Sequence, residues 1–148
     1  MNRIKWSNIS VPEGHVIPLA AGIALHWWRP LEFWQTVWQR QLLGWTLLLL
    51  GILLAVWATA TFKQMNFAKP TAIITTGPYV FSRNPMYLAW TLTYLAITFL
   101  ANTWWLVALI PVPLLITHFI YIRSEERQLE EKFGEEYRQY RARVRRYL

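Results

Sequence analysis

The run Thr75-Thr76-Gly77-Pro78-Tyr79-Val80-Phe81-Ser82-Arg83-Asn84-Pro85-Met86-Tyr87 concentrates turn-formers, aromatics and polar groups between two hydrophobic segments. Gly77-Pro78 makes a turn. Asn84-Pro85 reads as a helix start, with Asn84 as the N-cap and Pro85 at the first helical position, where a missing N–H costs nothing. The helix that follows, Met86 to about Leu100, is apolar enough to enter a membrane. Its first amides and positive dipole end, beside Arg83, therefore face the membrane–water boundary and form a ready site for an anion. A plain juxtamembrane cap is the competing reading of the same residues.

Working outward, Met86–Leu100 and Trp104–Ile122 are two apolar segments joined by only Ala101-Asn102-Thr103, which forces an antiparallel helical hairpin. Pro111 and Pro113 should kink its second arm, which a membrane tolerates when neighbours satisfy the freed carbonyls. Leu42–Phe62 is the clearest transmembrane segment, long, Leu-rich and uncharged. Leu31–Gln41 carries interfacial aromatics at helical spacing and is expected at the surface, running into the next helix. Val16–Trp28 is shorter than the about 20 residues of a full span, and is expected to be a short first membrane helix. The polar lead before it, with Arg3 and Lys5, is followed by no small-residue cleavage site of a signal peptide. From Arg123 the chain becomes highly charged. There Leu129, Phe133, Tyr137, Tyr140 and Val144 recur at helical spacing, predicting an amphipathic helix against the membrane or the bundle.

Composition agrees. Of 148 residues, 55% are hydrophobic and 10 are Trp, an excess for a soluble domain of this size. With no cysteine, disulfides, thiolate catalysis and Cys-based metal sites are excluded. His15 and His26 lack the spacing and acidic partners of a metal site, so no metal is assigned. The glycines form neither a dinucleotide loop nor a P-loop. The net charge of +7 belongs to basic residues flanking apolar spans, which fits membrane topology better than nucleic acid, and no nucleic-acid partner is expected.

The fold class expected is therefore all-α: one domain over residues 1–148, an integral membrane bundle of about four spans (16–28, 42–62, 86–100, 104–122) with a C-terminal amphipathic helix. Four spans place Arg3, Lys5, Lys63, Lys69, Arg83 and every basic residue from Arg123 on one side, leaving Arg29 and Arg40 on the other. The positive-inside rule makes that first side, with both termini and the 77–87 stretch, cytoplasmic. A three-span arrangement fits slightly less well.

Folding the chain about Asn102–Thr103 brings Asn84 level with Tyr121, about 18 residues or about 27 Å down each arm. Glu125-Glu126 then lies about one turn beyond, on the side of Arg83. Converging carboxylates, a helix start, an arginine and tyrosines describe a pocket for a zwitterion or cation. A solvated charged helix is the alternative. His118, seven residues before Glu125, is expected on the same helix face, either packed and hydrogen-bonded or lining the pocket.

Together, Gly77-Pro78-Tyr79, Ser82-Arg83-Asn84-Pro85-Met86-Tyr87, the hydrophobic hairpin, Glu125-Glu126-Arg127, Phe133-Gly134-Glu135-Glu136-Tyr137 and Arg143-Val144-Arg145-Arg146 resemble the isoprenylcysteine carboxyl methyltransferase and phospholipid methyltransferase superfamily, over roughly residues 42–148. The resemblance implies a small membrane enzyme using S-adenosylmethionine, with Gly77, Pro78, Tyr79, Arg83, Asn84, Pro85, Tyr87, Glu125 and Glu126 lining the cofactor site within segments 75–87 and 118–148, and His118 beside them. Asn84 stands where the eukaryotic carboxyl methyltransferases usually carry His, and so looks like the prokaryotic relatives. Glutamates suit an ammonium or diol, Arg83 and the helix start a carboxylate, and tyrosine faces a sulfonium. Arg83 and Glu125 are the candidate catalytic residues. The acceptor expected is a lipophilic or amphiphilic small molecule with a carboxyl or amine group, entering from the membrane lipids. A sterol-type membrane reductase using NADPH and a non-catalytic membrane subunit are the competing classes.

Overall fold

The computed structural model describes residues 13–63 and 72–148; the polar lead with Arg3 and Lys5, and the part of the connection carrying Lys69, lie outside the described residues. Every regular element among the described residues is helical. Helix α1 spans Glu13–Trp28, α2 Val37–Lys63 and α3 Pro85–Ala101. Helix α4 runs from Trp104 to Phe133, and α5 spans Glu135–Arg143.

Val37–Phe62 and Trp104–Phe133 are long and apolar enough to cross a membrane. Helices α1 and α3, at 16 and 17 residues, are shorter than the about 20 residues of a full span. Along α2, Leu42, Trp45, Leu49, Ile52, Leu53 and Val56 are exposed, whereas Gly44, Gly51 and Ala58 are buried. That seven-residue rhythm of small residues is the packing seam. A Cβ on Gly44 would sit 2.7 Å from Leu100, and one on Gly51 would sit 2.8 Å from Thr93 Oγ1. Helix α3 answers with the buried Ala89 and Ala96. Small residues facing each other let two backbones approach closely where lipid offers no hydrophobic drive to helix association. On the other side α1 runs antiparallel to α4, with Gly22 against Leu106 and Gly14 against Ile116 and Tyr121.

The hairpin forms as its short link requires. Asn102 turns the chain with φ +51°, the left-handed conformation Asn tolerates, and Thr103 caps α4 by accepting from Trp105 N at 3.3 Å. Tyr94 Oη donates across the hairpin to Leu106 O at 3.1 Å.

Three expectations change. Residues 31–36 are not helical: the Asn102 amide accepts from Trp34 N and donates to Trp34 O, both at 3.0 Å, holding this strip as an irregular strap around the hairpin tip, and α2 begins at Val37. The second arm does not end at Ile122. It continues to Phe133 through an irregularity at Ile110, beside the two prolines, and a π-helical turn over Thr117–Ile122. The C-terminal amphipathic helix is two helices, because Gly134 (φ +53°, ψ −119°) breaks it between Phe133 and Glu135. Its stripe nevertheless packs as read: Tyr137 and Tyr140 are buried with Ile73, and Leu129, Phe133 and Val144 pack around them.

Candidate active site

Between α2 and α3 the chain makes a 3-10 turn, Gly77–Val80, that aims the following residues at α4. Gly77 has φ +59°, and a Cβ there would fall inside contact distance of Thr61 Oγ1 on α2, so only glycine lets the turn lie this close. Pro78 is buried and its carbonyl accepts from Ser82 N at 3.2 Å. Ser82 is fully buried, and its Oγ accepts from Asn84 N at 3.2 Å. Pro85 starts α3 as expected, but Asn84 is not its side-chain cap. Its amide instead donates to Arg146 O at 3.0 Å.

The two glutamates, adjacent in sequence, serve different neighbourhoods. Glu126 is an ion-pair centre: Arg83 Nη1 lies 2.9 Å from its Oε1, while Arg146 donates through Nε to Oε1 at 3.0 Å and through Nη2 to Oε2 at 2.6 Å. The side chains of Arg83 and Glu126 are 9% and 10% exposed. One carboxylate between two guanidinium groups leaves the cluster a net positive charge, and Arg83 Nε is buried without an acceptor. Such an orphaned donor on a cation is a place for an anion. Glu125 turns to the tyrosines. It accepts from Tyr87 Oη at 2.8 Å, and the Tyr87 ring lies parallel to Tyr121, with centroids 6.4 Å apart. Burial, and then the nearby Glu125 charge, push the Tyr79 phenol up to about 12.

The C-terminal tail closes this site. Arg83 N donates to Arg145 O at 3.0 Å, and Tyr140 Oη donates to Tyr79 O at 2.8 Å. His118 joins the Glu126 side: Arg146 Nη1 is 3.4 Å from its Nε2, and because a guanidinium only donates, Nδ1–H donates to Tyr147 Oη at 2.8 Å. The shared face with Glu125 assumed 3.6 residues per turn, which the π turn does not keep.

The sequence-predicted residues therefore form two adjoining groups, Arg83–Asn84–Glu126–His118 and Tyr79–Tyr87–Glu125, with Gly77, Pro78 and Pro85 as the backbone that places them. Arg146, Tyr147, Tyr121 and Tyr137 lie inside the expected segment 118–148 but were not singled out as site residues, and Thr61, on α2, lies outside both expected segments. Of these, Tyr137 had a signal in the aromatic stripe, and Arg146 stood in the Arg143–Arg146 run that carries the family resemblance.

The tyrosines give a pH prediction. Burial also raises Tyr137 and Tyr140. A phenol whose folded pKa lies above its unfolded value contributes stability that is full below pH 10 and lost as pH rises toward the folded value. Thermal unfolding in detergent should therefore move to lower temperature between pH 10 and about 12, and Tyr79→Phe should flatten that decline. A pH-independent midpoint across this window would contradict the buried phenols.

Comparison with known proteins assigns the sequence to a family. Neither the curated proteins nor the solved structures contain a significant match. A family model described as phospholipid methyltransferase matches residues 39–136, about two thirds of the chain, taking in α2, the 77–87 turn, α3, α4 and both glutamates. The chain belongs to the phospholipid methyltransferase family.

Proposed function

We propose that this protein is an integral membrane methyltransferase that uses S-adenosylmethionine and methylates a carboxyl or amine group on a small lipophilic or amphiphilic acceptor. The observation that carries the reading is the buried Arg83–Glu126–Arg146 centre beside the Tyr87–Glu125 pair; Arg83, Tyr87 and both glutamates fall within the family match, and the tail brings Arg146 to them from beyond it. Four helices crossing as one domain, with the termini and this site on the cytoplasmic side, are part of the proposal.

The donor set fits the cofactor. Arg83, whose Nε lacks an acceptor, would hold the carboxylate, and Glu125 with Tyr79 and Tyr87 would hold the ammonium, the ribose diol or the sulfonium. Bound there, S-adenosylmethionine supplies an electrophilic methyl group. The chain's own work is positional. Glu126 fixes Arg83, Tyr87 fixes Glu125, and the tail with Arg145–Tyr147 covers the pair. Because methyl transfer is an in-line displacement, orientation in a water-poor site supplies most of the acceleration.

The test is transfer of a radiolabelled methyl group from S-adenosylmethionine to the lipid fraction of a membrane extract, using purified protein in nanodiscs. Wild type should label that fraction. Tyr87→Phe, which removes one hydrogen bond to a charged group, should lower the rate about tenfold. Wild-type protein that binds the cofactor yet labels no lipid, peptide or small amphiphile in the extract would sink the catalytic reading.

A further inference from the structure

The chain leaves α5 at Val144 in an extended conformation, and residues 144–148 cross the Arg83 site as a non-helical tail. Around that site Ser82, Asn84 and Glu126 are buried, and Arg83 Nε is buried without an acceptor among the described residues. An anion can reach this nitrogen only after part of the cover moves. The neighbouring α3, α4 and 77–80 turn are packed into the bundle. The tail is not, and it carries exposed residues, Tyr147 at 36% and Leu148 at 69%. The least anchored cover is the part that opens.

Polar contacts hold the tail down. Arg145 O accepts from Arg83 N and Arg146 O from the Asn84 amide, both at 3.0 Å. The Arg146 guanidinium donates to Glu126 at 2.6 and 3.0 Å. At the outer edge Tyr147 Oη accepts from His118 Nδ1–H at 2.8 Å, and the two rings stack with centroids 5.9 Å apart. Charge then makes closure depend on what is bound. With the tail down, Arg83 and Arg146 share Glu126, and the cluster carries one net positive charge. His118 accepts from Arg146 through Nε2 and adds none, and Glu125 belongs to the tyrosine group. With the tail up, Arg83 and Glu126 remain as a neutral pair. A carboxylate seated on Arg83 is therefore balanced only while Arg146 is in place. Without Arg146, two carboxylates would share one buried guanidinium, which burial makes costly.

We propose that residues 144–148 are a lid coupled to the ligand: the tail lifts to admit the cofactor, and the cofactor carboxylate on Arg83 favours its closure through Arg146, with Tyr147 on His118 as the outer latch. The identity of the ligand rests on the methyltransferase reading. Coupling is reciprocal, so a change that weakens closure weakens carboxylate binding by the same factor. Residues 144–148 lie beyond residue 136, where the family match ends, so the lid is supplied by the segment outside the match.

The experiment uses the full-length chain in nanodiscs. The chain has no cysteine, so Leu148→Cys, at an exposed position, carries a single spin label whose EPR spectrum reports tail motion. S-adenosylhomocysteine is compared with its decarboxylated analogue, which keeps the amine and the adenosine, and calorimetry reads the binding of each. The expected result is a shift toward the immobilised spectral component with S-adenosylhomocysteine and none with the analogue at saturation. Arg146→Gln should abolish the shift and weaken S-adenosylhomocysteine binding about tenfold or more, and Arg146→Lys, which keeps the charge, should restore part of both. If the analogue does not bind, this pair of variants decides. Tyr147→Phe, which keeps the ring and loses the acceptor for His118, should leave the unliganded tail more mobile and speed release of S-adenosylhomocysteine about three- to tenfold. S-adenosylhomocysteine that binds without moving the spectrum, equal immobilisation by the analogue, or wild-type affinity in Arg146→Gln would overturn the lid and leave the methyltransferase reading standing. Absence of S-adenosylhomocysteine binding in folded protein would overturn both.

Discussion

Glu126→Gln should destabilise the fold by about 3–5 kcal/mol, the cost of leaving a buried ion pair with one partner removed. The substitution keeps the shape and removes the charge. Arg83, 9% exposed, then has no carboxylate against its Nη1 and cannot reach water by a rotamer change. Arg146, 31% exposed, can swing outward, which places the loss near the lower end of that range. Releasing Arg146 also loosens the tail, whose Arg145 and Arg146 carbonyls accept from Arg83 N and the Asn84 amide. Two readouts follow: a lower unfolding temperature in detergent, and faster trypsin cleavage within residues 143–146. The double substitution Arg83→Gln with Glu126→Gln should recover part of the stability, since no unpaired buried charge remains. Unchanged unfolding and cleavage in the single variant would mean that Glu126 is solvated and the cluster does not hold the tail.

Gly77→Ala should cost about 2–5 kcal/mol through two separable contributions. Placing an L-residue in the left-handed region costs about 1–2 kcal/mol. The added methyl group then overlaps Thr61 Oγ1, which is held by its own bond to Trp57 O at 2.9 Å, and such overpacking typically costs about 1–3 kcal/mol. Adding Thr61→Ala should restore the steric part and leave the backbone part, so the double variant is expected between the single variant and wild type. Because this turn aims Arg83 at α4, Gly77→Ala should also weaken cofactor binding more than its stability loss alone accounts for. A tolerated alanine, with wild-type unfolding and binding, would contradict the close approach of the turn to α2.

How much of this was legible differs from element to element. The meeting of Arg83 with Glu126, and of the 77–87 stretch with Glu125, followed from helix rise and a three-residue link, because Ala101-Asn102-Thr103 leaves little freedom in how the arms pair. Individual roles did not follow. Two adjacent glutamates look alike in sequence, and only the returning tail, which brings Arg146 to Glu126, separates them. The aromatic strip at 31–36 has helical spacing, but a tertiary contact won: the Asn102 amide pairs with its backbone. Gly134 was a visible helix stop, yet the apolar stripe continues in phase across it and masked the break. Nothing in Thr117–Ile122 announces a π turn, so face assignments beyond it, His118's among them, shifted.

The most direct test of the central claim is calorimetric titration of the folded, detergent-purified protein with S-adenosylmethionine and S-adenosylhomocysteine, with NADPH in parallel. The expected result is micromolar binding of the first two, none of NADPH, and loss of binding in Glu125→Gln with its unfolding temperature unchanged. Binding of NADPH alone, or silence with all three ligands in protein shown to be folded, would contradict it.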